Sequence, residues 1–264
     1  MNRIEKLFSS KKKNILSIYF TAGFPKLNDT ETILNALHTN GADIIEIGMP
    51  YSDPLADGPV IQHSSMIALQ NGMTVKLLFD QLNKYNNHSS EIKTPVILMG
   101  YLNPILQYGI ERFCSDAHDA GIDGLILPDV PMYEYEKEYG KIFEKYGLDF
   151  IFLITPETSE ERIRKIDELS KGFIYAVSSS SITGRDKDMR EQENYFKRIE
   201  ALNLKNPVMI GFGIKDNDTF LQACKHAAGA IIGTAYIKSI ENSNNIEHDT
   251  LSFINSILEP SAHV

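Results

Sequence analysis

The chain has 264 residues, of which 42% are hydrophobic, and a formal net charge of −9. That length allows a large buried core, and no apolar run reaches the roughly 18 residues a membrane span needs. The negative balance argues against nucleic acid or an anionic membrane surface as partner.

Met1–Lys13 is polar and lacks the apolar centre of a secretory signal. Cys114 and Cys224 lie among helix-like residues, outside any Cys-x-x-Cys pair. The expected setting is cytoplasmic, with both thiols reduced and used for packing.

From Ile15 onward, apolar runs of strand length alternate with amphipathic stretches. The expected strands are Ile15–Phe20, Asp43–Gly48, Pro95–Met99, Gly124–Leu127, Phe150–Ile154, Phe173–Val177, Val208–Gly211 and Ala230–Gly233. Most are apolar through their centres, as suits parallel strands covered on both faces. Asn83–Thr94 is polar and reads as an irregular surface connection. Thr158 with Glu161 forms a capping box ahead of Ile163, Ile166 and Leu169, and Asp216 caps the helix carrying Phe220, Leu221 and Cys224. The polar segment Thr183–Glu193 follows the sixth strand and reads as a candidate lid.

A weak repeat punctuates this alternation. Gly41-Ala42-Asp43, Gly121-Ile122-Asp123, Gly147-Leu148-Asp149 and Gly229-Ala230 each end a helix and open a strand. Glycine supplies the left-handed helix stop there. Repeated βα units of about thirty residues, with no linker between them, imply one α/β domain over residues 1–264, a parallel (β/α)₈ TIM barrel. An open doubly wound sheet is the alternative, although no Gly-x-Gly-x-x-Gly follows the first strand.

Glu46 interrupts the second strand among Ile44, Ile45 and Ile47. Period-two alternation places it on one face with Ile44 and Gly48, and Ile45 with Ile47 on the other. A buried carboxyl group costs several kcal/mol unless it is paired, protonated or used. A loop stiffened by Pro50, Pro54 and Pro59 then delivers Asp57. Two carboxyl groups in different environments can divide acid–base work from charge stabilisation. A structural ion pair for Glu46 and an ordinary Asp-Gly turn for Asp57 are the bland alternatives.

In such a barrel the site lies at the C-terminal strand ends, and phosphate often binds after strands seven and eight. Gly211-Phe212-Gly213, Gly233-Thr234 and Thr183-Gly184 stand at those ends. Neither Gly211–Gly213 nor Gly233–Thr234 contains lysine or arginine, so backbone amides and one hydroxyl would hold an anion. Tyr19 and Tyr175 fall at inward strand positions, as core residues or as the wall of an aromatic pocket. Ser178–Ser181 reads as turn and anion-contact residues. No metal-ligand spacing or Gly-x-Ser-x-Gly element is present.

The block Glu46–Pro59 (EIGMPYSDPLADGP) resembles the signature of the tryptophan synthase α-subunit family. So do Thr21-Ala22-Gly23, the MGYLNP stretch Met99–Pro104, Asp129-Val130-Pro131, Ile182-Thr183-Gly184, Gly211-Phe212-Gly213-Ile214 and Gly229-Ala230-Ile231-Ile232-Gly233. The resemblance spans about residues 15–240. It implies a retro-aldol lyase that cleaves indole-3-glycerol phosphate to indole and glyceraldehyde 3-phosphate.

By matching position, Glu46 would be the general acid/base and Asp57 the acceptor of the indole N–H. Tyr175 would order the site, and Gly184, Gly213, Gly233 and Thr234 would hold the phosphate. Phe212 and Leu98 would pack around the indole ring, with Tyr19 and Thr183 also at the substrate. No cofactor is implied in this chain. Pyridoxal phosphate belongs to the β partner, which receives indole within an α₂β₂ complex.

Departures from the family pattern are Ser179 for arginine, Ser181 for glycine or threonine, Thr234 for serine and Tyr19 for phenylalanine. Two functional alternatives stay open, a free-standing indole-releasing lyase and a barrel acting mainly as allosteric activator of β. Without the resemblance, a phosphosugar isomerase or aldolase barrel would lead, although no strand-end lysine suits a Schiff base.

Overall fold

The computed structural model describes residues 2–88, 93–177, 189–211 and 213–259. Its strands are Ile15–Thr21, Ile44–Gly48, Val96–Met99, Gly124–Ile126, a fifth in two pieces (Asp149–Phe150 and Leu153–Ile154), Ile174–Val177, Val208–Gly211 and Gly229–Ile232. Every pairing is parallel, and the paired run begins with one piece of the fifth strand and ends with the other. Ile151 N–H donates to Leu125 O and Tyr175 N–H donates to Phe152 O, each at 3.0 Å. The fifth strand thus bonds to the fourth through its first half and to the sixth through its second, which closes the sheet into a (β/α)₈ barrel. No helix among the described residues is long and apolar enough to cross a membrane.

Both faces of the sheet are covered, which is why the strands read as unbroken apolar runs. One face, with Ile15, Ile44, Ile97, Ile126, Ile151 and Met209, fills the barrel interior. The other, with Leu16, Ile18, Ile45, Ile47, Leu98 and Leu125, packs in the larger core shared with the helices.

The interior is plugged from below by the helix Arg3–Ser10, opened by a capping box between Asn2 and Glu5. Its Ile4 and Phe8 join the interior cluster. The three aspartates of the Gly-x-Asp repeat hold this segment. Asn2 Nδ2 donates to Asp149 at 2.6 Å, Arg3 pairs with Asp123 at 2.8 Å, and Lys11 pairs with Asp43 at 2.6 Å. Asp43 and Asp123 also accept the backbone N–H of Leu16 and Val96, both at 2.8 Å. The glycine of each repeat turns the chain, and the aspartate staples the strand bottoms to the plug. Asp123→Ala should therefore lower unfolding stability by about 3 kcal/mol, the scale of charge-assisted bonds lost around a buried amide. Urea denaturation measures it, and a loss below about 0.5 kcal/mol would show that the staple carries no stability.

Two stretches expected to be irregular are partly helical. The helix Val75–His88 continues through the start of Asn83–Thr94 because Leu78, Phe79, Leu82 and Tyr85 extend one buried stripe. Likewise the helix Met189–Ala201 takes the end of Thr183–Glu193, anchored by buried Tyr195, Phe196 and Ile199. Residues 183–188 of the expected lid lie outside the described residues.

The cap expected at Thr158 is Ser159, whose side chain accepts from Arg162 N–H at 3.3 Å, while Thr158 Oγ1 accepts from Thr155 N–H at 2.9 Å. Asp216 caps as expected, in a reciprocal box with Thr219.

Candidate active site

Glu46 lies on the interior face of the second strand, in register with Tyr19 of the first and Ile97 of the third. It is fully buried. Its Oε1 accepts a hydrogen bond from Ser17 Oγ at 2.7 Å, and Oε2 has no hydrogen-bond partner among the described residues. Burial disfavours the charge and raises its pKa from 4.5 to about 7, with the Ser17 bond opposing the rise. A carboxyl group so poised can give a proton and take one back at neutral pH.

Asp57 is half-buried in the loop that joins the second strand to the helix Pro59–Gln70. Proline at the first helical position has no N–H of its own to leave unpaired and a φ already suited to a helix, which favours a start after Gly58. The loop is tied at several points: Asp57 N–H donates to Pro54 O at 3.1 Å, and Gln62 Nε2 donates to Asp57 O at 2.9 Å. The Asp57 Oδ2 accepts from Tyr101 OH at 3.0 Å. Burial raises this carboxyl to about 6, again against an opposing hydrogen bond. Asp57 is therefore mostly ionised at neutral pH, where Glu46 is divided between its two forms.

A cleft with about 530 Å³ of empty space, counted to its open mouth, is lined by Tyr19, the residue in register with Glu46, while Glu46 itself does not line it. Tyr19 and Tyr175 line it, and each feels the charge of both carboxyl groups. The two rings sit over Gly48 and Gly211, where any side chain would overlap them. Met99, Ile61, Ile214 and Ile231 supply an apolar wall. Asp57 stands on one side, and Gly213, Gly233 and Thr234 on the rim after strands seven and eight. Gly213 has φ +78°, a conformation that side chains disfavour, and the space where its Cβ would stand is open. None of the described lining residues is basic.

The structure thus brings Asp57, Tyr19, Tyr175, Gly213, Gly233 and Thr234 to one cleft, with Glu46 buried beside its tyrosines. It does not bring Leu98 there. That side chain belongs to the outer core with Ile45 and Ile47, and Met99, the next residue, lines the cleft in its place. Thr183, Gly184 and Phe212, like Ser179 and Ser181, lie outside the described residues.

Sequence reasoning missed Ser17 and Tyr101, the two hydroxyls that hold the two carboxyl groups. Ser17 carried a legible signal, as a polar residue in an apolar strand at the same parity as Tyr19. Among the described residues no His/Cys/Asp/Glu cluster could hold a metal ion. Cys114 and Cys224 are buried, with thiols pushed up to about 12 and about 11 by desolvation.

A closed parallel barrel with a cleft at the C-terminal ends of its strands, and two carboxyl groups raised toward neutrality in and beneath it, has the layout of the barrel enzymes. The family model described as tryptophan synthase alpha chain matches residues 6–259. The tryptophan synthase alpha chain of Flavobacterium johnsoniae is 58% identical over 246 residues, 93% of this chain and 96% of the relative. That of Phocaeicola vulgatus is 53% identical over 260 residues, 98% of each. The crystal structure of tryptophan synthase subunit alpha from Legionella pneumophila superposes with a TM-score of 0.87 at 35% identity, covering 97% of both chains. The chain belongs to the tryptophan synthase alpha chain family, and it is a lyase.

Proposed function

We propose that the chain cleaves indole-3-glycerol phosphate to indole and glyceraldehyde 3-phosphate, with Glu46 as general acid and base. The observation that carries this reading is a carboxyl group held near pKa 7 beside an apolar cleft whose far rim is glycine-rich. A substrate with an apolar ring at one end and a dianion at the other needs those two surroundings. Glu46 points toward Ser17, so turning about its side-chain torsions is needed to present its proton to the ring.

In the reaction Glu46 protonates C3 of the indole, and positive charge grows at the ring nitrogen. Asp57 accepts the N–H hydrogen bond and stabilises that charge. The ionised Glu46 then takes the proton of the side-chain hydroxyl. The bond between C3 and the glycerol carbon breaks, its electron pair restores the aromatic ring, and the carbon left behind becomes the aldehyde. Amides at Gly213 and Gly233 and the Thr234 hydroxyl hold the phosphate. Tyr19, Tyr175 and Met99 enclose the ring.

Family membership implies a β-subunit partner. The further reading is an α₂β₂ complex in the cytoplasm, with pyridoxal phosphate carried by β and none needed here. The test is indole release from indole-3-glycerol phosphate, with and without a tryptophan synthase β subunit. Indole and glyceraldehyde 3-phosphate should form in equal amounts, faster when β is present. No indole under either condition would reject the reading.

A further inference from the structure

The geometry points to Tyr101 as the positioning residue for Asp57, acting on the reaction only through that carboxylate; this rests on the reading of Asp57 as acceptor of the indole N–H. Tyr101 follows the third strand and stands at the N-cap of the helix Leu102–Tyr108. That helix start is itself anchored, since both carboxylate oxygens of Asp129 accept from Leu102 N–H at 3.0 Å. The Tyr101 ring is buried and packs on Tyr51, with centroids 5.2 Å apart.

The hydroxyl makes two contacts with a single neighbouring loop. It accepts from Ala56 N–H at 3.0 Å and donates to Asp57 Oδ2 at 3.0 Å. A phenol has one proton, and the Ala56 amide already occupies a lone pair. The proton therefore goes to Asp57, and the bond is strongest when that carboxyl is ionised. One side chain thus fixes both the backbone and the carboxylate of the Asp57 loop against the adjoining βα unit.

Two effects follow. The carboxylate is held in one orientation, with Oδ2 committed to Tyr101 and Oδ1 without a hydrogen bond among the described residues. The same bond favours the charged form against the desolvation that pushes Asp57 up to about 6. Among the described residues, the other titratable groups that face Asp57 are Tyr19 on the first strand and Tyr175 on the sixth, while Asp129 faces Tyr101 from the fourth unit. Among the described residues, Tyr101 is the donor to the Asp57 carboxylate.

Tyr101→Phe keeps the ring and its packing on Tyr51 and removes only the hydroxyl. Indole formation by the full-length chain is followed from about pH 5.5 to about pH 9 for the parent, Tyr101→Phe, Asp57→Asn and the double variant. The Asp57 carboxyl should titrate higher in Tyr101→Phe, so the acid limb of kcat/KM moves up in pH. The loss should be about tenfold near pH 6 and shrink toward high pH, where both proteins carry an ionised Asp57. In the Asp57→Asn background, Tyr101→Phe should cost nothing further. A loss that recurs in full in the Asp57→Asn background, or Tyr101→Phe activity equal to the parent's at every pH, would overturn the inference while leaving Asp57's role intact. Full activity in Asp57→Asn would instead overturn the role of Asp57, and the inference with it.

Discussion

Glu46→Gln should fold, bind the β subunit and release indole about a thousandfold more slowly than the parent, or less. Glutamine keeps the length of the side chain, and its carbonyl still accepts from Ser17, which lies 2.7 Å from Glu46 Oε1. What it loses is the exchangeable proton, and acid–base groups contribute about 10² to 10⁴ in rate. Asp57→Asn should be the milder lesion, because it removes charge stabilisation and leaves the proton donor.

Stability should move the opposite way. The folded-state pKa of Glu46 is raised from 4.5 to about 7, so between those values the folded chain binds more protons than the unfolded one. Stability therefore falls as pH rises from about 4.5 to about 7, and stays at the lower level above it. The size of that loss is on the order of 3 kcal/mol, since one pKa unit is worth about 1.4 kcal/mol. Glutamine never ionises, so Glu46→Gln should be more stable than the parent at pH 8 and no more stable at pH 4. An inactive protein with raised high-pH stability is the joint signature, read by indole release and by urea titration at the two pH values. Retained turnover, or a variant that fails to fold, would remove Glu46 from the acid/base role.

Gly233→Val should raise KM about ten- to over a hundredfold while leaving kcat less affected. Glycine is not demanded there by backbone conformation, because its φ is −116°. A Cβ at that position would stand 3.3 Å from Tyr19 Cδ1, so the branches of valine fill the narrow space between the tyrosine and the rim. With no basic side chain among the described lining residues, anion affinity in the proposed site would rest on close approach to backbone amides, each charge-assisted bond contributing about 1.5–3 kcal/mol. Gly213→Val is the less clean variant, since φ +78° adds backbone strain of its own. Glyceraldehyde 3-phosphate binding measures the effect directly. Unchanged binding to Gly233→Val would place the phosphate elsewhere.

Much of this arrangement follows from local chemistry that can be read along the chain. Apolar runs separated by Gly-x-Asp turns mark where strands begin, because only glycine turns so sharply from helix to strand there. Alternation within Ile44–Gly48 sends Glu46 inward, since a period of two leaves a strand residue no other choice once Ile45 and Ile47 face the helices. The glycines after the seventh and eighth strands and the Glu46–Pro59 block were equally legible, and they carried the family.

Other features were decided only by tertiary structure. Leu98 and Met99 are both apolar in a strand covered on both faces, so nothing local tells which one turns inward. The pairing of Glu46 with Ile97 settles it, by putting Ile97 and Met99 on the interior parity. The aspartates of the repeat gain their role from a plug helix that reaches Asp43, Asp123 and Asp149 together. The partners of the two carboxyl groups come from neighbouring barrel units, Ser17 for Glu46 and Tyr101 for Asp57. Hydrogen bonds and desolvation act through space, so the protonation of these groups belongs to the closed barrel and to no segment of the chain alone.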